Sequence, residues 1–183
     1  IVSNLIWKFS EKIGIQLVNI VIQIILARIL LPEDYASVAI IMVFVLLANL
    51  IVQSGFGSAL VQKEYVDSKD FSSVFYLCLF FAILLYAVIF ICAPIIASFY
   101  GLNNLTELLR VQAVILFPCA INTVQVAYLS RNMNFSKNFI ASIIANILSG
   151  VIGVGFAYAG FGIWSLIACN VSNQVFLTML LWY

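Results

Sequence analysis

The sequence predicts an all-α membrane protein, a bundle of six transmembrane helices, and three observations predict it. Between Asp70 and Glu107 there is no charged residue. Apolar runs recur along the rest of the chain, with nearly all the charges confined to the short gaps between them. Hydrophobic residues make up 65% of the chain and charged residues 8%, with a mean hydropathy of +1.18, whereas about a quarter of an average soluble domain is charged. A helix crossing the roughly 30 Å hydrocarbon layer needs about 20 apolar residues, more than a soluble core helix requires. No water-soluble surface can be built from this composition.

The expected spans are residues 13–31, 35–52, 71–99, 108–129, 139–158 and 163–182. Residues 1–10, with Trp7 beside Lys8, either lead in along the interface or extend the first helix. Leu31-Pro32-Glu33-Asp34 separates the first two spans: proline stops one helix and the two acids can cap the next. Ser54-Gly55-Phe56-Gly57 ends the second span and Gly160-Phe161-Gly162 separates the fifth from the sixth, with glycine where the backbone must turn. The chain begins with Ile1 and stops just after an apolar segment, so the expectation is a portion, residues 1–183, of a longer protein.

Charge sets the expected orientation. With a cytoplasmic N-terminus the inner segments hold Lys8, Lys12, Lys63, Lys69, Arg131 and Lys137, and the outer ones only Arg28 and Arg110. That asymmetry favours cytoplasmic placement of both ends. Tyr35, Tyr100, Tyr158, Trp164, Trp182 and Tyr183 fall near span ends, where amphipathic rings suit the headgroup zone.

An amide in hydrocarbon must find a partner or line a wet cavity, so the Asn and Gln positions are the principal site candidates. Gln16, Asn19 and Gln23 share one face of the first helix, extended by Lys12 and expected to point inward. Asn49 and Gln53 lie one turn apart in the second, and Asn122 and Gln125 share a face beyond Pro118. Asn170, Asn173 and Gln174 cluster in the sixth. Such amides either glue helices together or line a shared polar path, and their number favours the path. Ser142, Asn146, Ser149, Gly150, Gly153 and Ala157 form a mostly small stripe on the fifth helix, expected to serve close packing. Arg28 and Arg110 either snorkel to the interface or, with Arg131, hold an anionic headgroup, because guanidinium matches phosphate geometry.

Several chemistries are not expected. The chain has no histidine, and its carboxylates, Glu11, Glu33, Asp34, Glu64, Asp67, Asp70 and Glu107, all fall in loops or at span ends. No acid/base pair, nucleophile constellation or phosphate loop can be assembled, so an enzyme is not expected. Cys78, Cys92, Cys119 and Cys169 sit within apolar runs without CxxC spacing, and neither a metal site nor any cofactor is indicated. A net charge of +1 without basic blocks argues against nucleic acid.

Several segments resemble a known family. Leu26-Ala27-Arg28-Ile29-Leu30-Leu31-Pro32-Glu33-Asp34-Tyr35 and Ser54-Gly55-Phe56-Gly57-Ser58-Ala59-Leu60-Val61-Gln62-Lys63 resemble the opening hairpin of bacterial polysaccharide exporters, within the multidrug/oligosaccharidyl-lipid/polysaccharide exporter superfamily. So do Ala93-Pro94-Ile95-Ile96-Ala97-Ser98-Phe99-Tyr100, Leu108-Leu109-Arg110-Val111, Leu129-Ser130-Arg131-Asn132-Met133-Asn134-Phe135 and Ala157-Tyr158-Ala159-Gly160-Phe161-Gly162-Ile163-Trp164-Ser165-Leu166. Ala36 stands where the family usually has glycine.

The resemblance implies a flippase in the bacterial inner membrane. It implies two lobes of six helices around a cavity, this chain being the N-terminal lobe, with the C-terminal lobe, membrane lipid and a lipid-linked saccharide as partners. By alternating access, the saccharide would pass from the cytoplasmic to the outer leaflet. The alternatives are a drug/cation antiporter of the same superfamily, which should carry a carboxylate within a helix, a membrane glycosyltransferase or polymerase with long outer loops, and an assembly or scaffold subunit whose amides only join helices.

Overall fold

The computed structural model describes residues 2–53, 60, 68–102, 104–131 and 135–182, with side chains over 12–53, 60, 70–102, 104–130 and 137–182. Seven helices are described: α1 (Val2–Ile29), α2 (Pro32–Gln53), α3 (Ser68–Tyr100), α4 (Leu105–Ala113), α5 (Leu116–Arg131), α6 (Phe135–Tyr158) and α7 (Ile163–Trp182). They supply six spans long and apolar enough to cross a membrane, with α4 and α5 together forming the fourth. The fold is the expected six-helix membrane bundle.

Local chemistry explains the helix ends. Pro32 occupies the first helical position of α2, where its missing N–H costs nothing. Asp34 Oδ2 accepts from Leu31 N at 3.3 Å, half of a reciprocal cap. At the end of α6, Gly160 adopts φ +83°. Phe161 N then bonds to Phe156 O at 3.2 Å and Gly160 N to Ala157 O at 3.1 Å, using carbonyls a helix end would otherwise leave bare. The rings of Phe156 and Phe161 close over this stop, 5.2 Å apart. Gly101, at φ +68°, ends α3 with the same pair of bonds: Leu102 N to Ala97 O and Gly101 N to Ser98 O. The expected turn at Ser54–Gly57 lies outside the described residues.

The structure decides one open expectation and revises another. α1 is helical from Val2, so the opening segment extends the first span. The fourth span, expected as one helix, breaks at Val114–Ile115. Pro118 has no N–H to offer the carbonyl of Val114, which accepts instead from Phe117 N at 3.2 Å. Ile115 N likewise bonds to Gln112 O at 3.1 Å. Tight i to i+3 bonding of this kind interrupts the α-helix and re-aims it.

α3 also contains a proline, Pro94, without breaking. The carbonyl it leaves unpaired is that of Phe90, and Arg110 of α4 supplies the missing donors. Arg110 Nε and Nη2 lie 3.4 and 3.3 Å from Phe90 O, and the guanidinium sits 3.9 Å above the Phe90 ring. A charged donor on a bare carbonyl, with cation–π contact beneath, pins α4 to α3.

The main core joins α2, α3, α4, α5 and α7. Its α3 face is small, with Cys78, Ala82, Ala93 and Ala97 buried, so neighbouring backbones approach closely. A second cluster, the clamp, gathers Leu26 of α1 and Leu30 just past its end, Val38 of α2, Ala157 of α6 and Leu166 of α7. It lies on the side of the bundle where α1 turns into α2 and α6 into α7. Away from the clamp α1 leans on α6 rather than α2, so the first two helices diverge. Outward-facing residues such as Leu50, Ile91 and Val151, 68%, 69% and 68% exposed, would be untenable in water and suit lipid.

Candidate functional site

The divergence of α1 from α2 opens a cleft of about 360 Å³. α1 contributes Ile15 and Asn19, α2 contributes Asn49 beside Met42, Val45 and Leu46, and α4 contributes Gln112 next to Ile115 at the helix break. α6 adds Asn146 and Ser149, and α7 adds Cys169, Asn170, Asn173 and Gln174. Five helices from an otherwise apolar bundle thus direct amides and a hydroxyl into one space. Among the described residues, none in this lining is charged.

Part of the polar set is internally bonded. Asn173 Nδ2 donates to Asn146 Oδ1 at 2.9 Å and to Ser149 Oγ at 3.1 Å, tying α7 to α6. Ser149 Oγ in turn donates to Asn146 O at 3.0 Å. Across the cleft, Gln53 Nε2 donates to Asn49 Oδ1 at 3.1 Å, and Asn49 Nδ2 reaches Cys119 Sγ at 3.5 Å. Gln112 is 2% exposed, and its Oε1 has no donor among the described residues. A buried carbonyl oxygen left bare costs about 1–3 kcal/mol, and the site retains that deficit.

The ten amides expected to line a path divide into five groups. Asn19, Asn49, Asn170, Asn173 and Gln174 meet in the cleft. Gln53 stands behind Asn49 as its hydrogen-bond partner. Gln125 instead joins helices, donating from α5 to Leu181 O of α7 at 3.3 Å. Asn122 is buried with neither amide atom paired and is not part of the cleft lining. Gln16 and Gln23 lie exposed on the surface of α1, outside this cleft. At about 100° per residue, Asn19 lies at one edge of the α1 stripe, and the cleft reaches only this edge.

The cationic candidates stand apart from the cleft. Arg110 is engaged with Phe90, and Arg28 is exposed in the last turn of α1, at the clamp end. The side chain of Arg131 lies outside the described residues. Three cleft residues were not among the expected lining. Gln112 obeys the same rule as the other amides, since it falls within the expected fourth span. Asn146 and Ser149 were read as packing residues because their neighbours are small. The packing itself is present: a Cβ on Gly150 would come within 2.4 Å of Ile22 Cδ1, and one on Gly153 within 2.7 Å of Cys169 Cβ. The stripe therefore has two edges, a small one against α1 and α7 and a polar one facing the cleft.

Six membrane-length helices with a polar cleft among them define a multi-pass integral membrane protein. The chain belongs to the polysaccharide biosynthesis protein family, which matches residues 25–183. It is 33% identical over 168 residues to the succinoglycan biosynthesis transport protein ExoT of Rhizobium meliloti (strain 1021), covering 92% of this chain and 34% of that protein. It is 24% identical over 179 residues to the teichuronic acid biosynthesis protein TuaB of Bacillus subtilis (strain 168), covering 97% of this chain and 36% of that protein. The chain thus spans about a third of the length of the curated relatives it matches. No solved structure matches it.

Proposed function

We propose that this chain is the N-terminal lobe of an inner-membrane transporter that moves a lipid-linked saccharide from the cytoplasmic to the outer leaflet. The lobe rocks against a C-terminal lobe, and no bond is made or broken. The observation that carries this reading is the convergence of hydrogen-bonding side chains from five helices on one cleft inside an apolar bundle. Sugar hydroxyls both donate and accept, so amides and serine suit them, while the lipid tail stays in the bilayer. Polar side chains at membrane depth, gathered beside an interrupted helix, are typical of substrate sites in transporters. The family match and the transport name of the Rhizobium relative support the same reading. The charge asymmetry of the loops supports cytoplasmic placement of both ends of the segment.

The test is export in cells carrying the full-length protein. Replacing Asn49, Asn170 and Asn173 together with Leu should stop polysaccharide reaching the surface while the protein remains inserted in the membrane. Wild-type export from that variant would remove the proposal.

A further inference from the structure

We infer that the cleft receives an uncharged, hydroxyl-rich sugar unit and leaves the phosphate-bearing part of the substrate outside the cleft, with Gln112 as its buried hydrogen-bond acceptor. The inference rests on the transport reading above and divides the substrate between two places.

Three observations carry it. First, the lining carries amides and a hydroxyl but, among the described residues, no charge. A phosphate leaving water needs cations or a dense set of donors to replace its hydration, and it repels bare carbonyl oxygens. Among the described residues, the cations lie elsewhere: Arg110 is engaged with Phe90 O, Arg28 is exposed at the clamp end of α1, Lys12 is exposed on α1 without lining the cleft, and Lys137 lines a separate groove. Secondly, the unmet buried atom is an acceptor. Gln112 Oε1 requires a proton from its ligand. A sugar hydroxyl has one to give, and an ionised phosphate does not. Thirdly, the side chains of Asn19, Asn170 and Gln174 line the same cleft with their amides uncommitted to any partner among the described residues. They offer the mixture of donors and acceptors that a ring of hydroxyls can match. The volume, about 360 Å³, falls near the small end of ligand pockets, a scale suited to a sugar unit rather than a long glycan.

Cys169 provides the reporter, because it lines the cleft and is partly exposed there. In the full-length protein, with every other cysteine replaced (Cys78→Ala, Cys92→Ala and Cys119→Ser in this segment), Cys169 is labelled with hydroxyethyl methanethiosulfonate, an uncharged reagent. Labelling is repeated with cellobiose, a neutral disaccharide, or inorganic pyrophosphate present at equal concentration. The expected result is slower labelling with cellobiose and an unchanged rate with pyrophosphate. Gln112→Met, close in shape but without the acceptor, should weaken cellobiose protection about 10-fold, the worth of one ordinary hydrogen bond. The unprotected labelling rate of this variant should not change, which reports an intact cleft.

Equal or better protection by pyrophosphate would overturn the inference and leave the transport reading standing. Full cellobiose protection in Gln112→Met would overturn the role of Gln112. A Cys169 that never reacts in any state of the transporter would mean a dry cleft, and the transport reading would fail with the inference.

Discussion

The clamp and the cleft share four helices, α1, α2, α6 and α7, with α4 adding Gln112 to the cleft alone, yet one is lined by aliphatic side chains and the other by amides. At the clamp, Leu26, Leu30, Val38, Ala157 and Leu166 meet through apolar surfaces, the Tyr35 ring packs against them with its buried hydroxyl unpaired among the described residues, and the glycine stop beside them pairs the carbonyls that end α6. In the cleft, Gln112 Oε1 is buried without a donor. The difference teaches where this lobe is a fixed joint and where it is a receptacle. A region lined by aliphatic side chains offers a polar ligand little, whereas one lined by amides, with a buried acceptor unmet, keeps a cost that a polar ligand can relieve.

The predictions that follow break or sharpen this contrast. The largest effect is expected where helices touch most closely. Gly153→Val would force a branched side chain against Cys169 Cβ, already within 2.7 Å of where a first carbon would sit. A loss of several kcal/mol or outright failure to fold is expected, beyond the roughly 1–3 kcal/mol of ordinary overpacking. Gly155 meets nothing within 4 Å, so Gly155→Ala should leave thermal stability in detergent unchanged or raise it by a few tenths of a kcal/mol to about 1 kcal/mol.

Next comes Arg110→Leu, which strips Phe90 O of both its donors and should cost about 1.5–3 kcal/mol in an unfolding measurement. Combined with Pro94→Ala, much of that loss should disappear, because residue 94 then has an N–H for the Phe90 carbonyl. Equal losses with and without Pro94→Ala would mean that Arg110 acts by another route.

Smaller still is the stability effect expected at the polar pairs. Asn173→Leu should cost about 0.6–2 kcal/mol, in the range of membrane interhelical hydrogen bonds, yet it should lower export far more than its stability loss explains. Gln125→Leu removes one bond to Leu181 O at similar or lesser cost, and export should remain near wild type. If both variants impair export in proportion to stability, cleft and seam are not functionally distinct.

Much of this was legible in the sequence because hydrocarbon imposes coarse, one-dimensional demands. Charge-free runs fixed the six spans, and Pro32 and Gly160 marked turns whose causes are local. The break at Val114–Ile115 was not legible, because Pro118 was read within one continuous span while its missing N–H acts four residues earlier. Arg110 is a similar case: its partner, the Phe90 carbonyl, lies on another helix and is bare only because of Pro94. The site was half legible. An amide stripe is roughly known from helical spacing, but which edge reaches a cleft depends on how α1 tilts away from α2, a tertiary fact. Gln16 and Gln23 lie exposed beyond that edge, while Asn146 sits among small neighbours.

The most direct test of the account compares two positions one turn apart on α7: Leu166 in the clamp and Asn170 in the cleft. In a cysteine-free, full-length transporter, Leu166→Cys and Asn170→Cys would each be treated with hydroxyethyl methanethiosulfonate, which reacts with thiols that water can ionise. The account predicts rapid labelling at residue 170 and little or none at residue 166. Equal protection of both positions in every state of the transport cycle would contradict it.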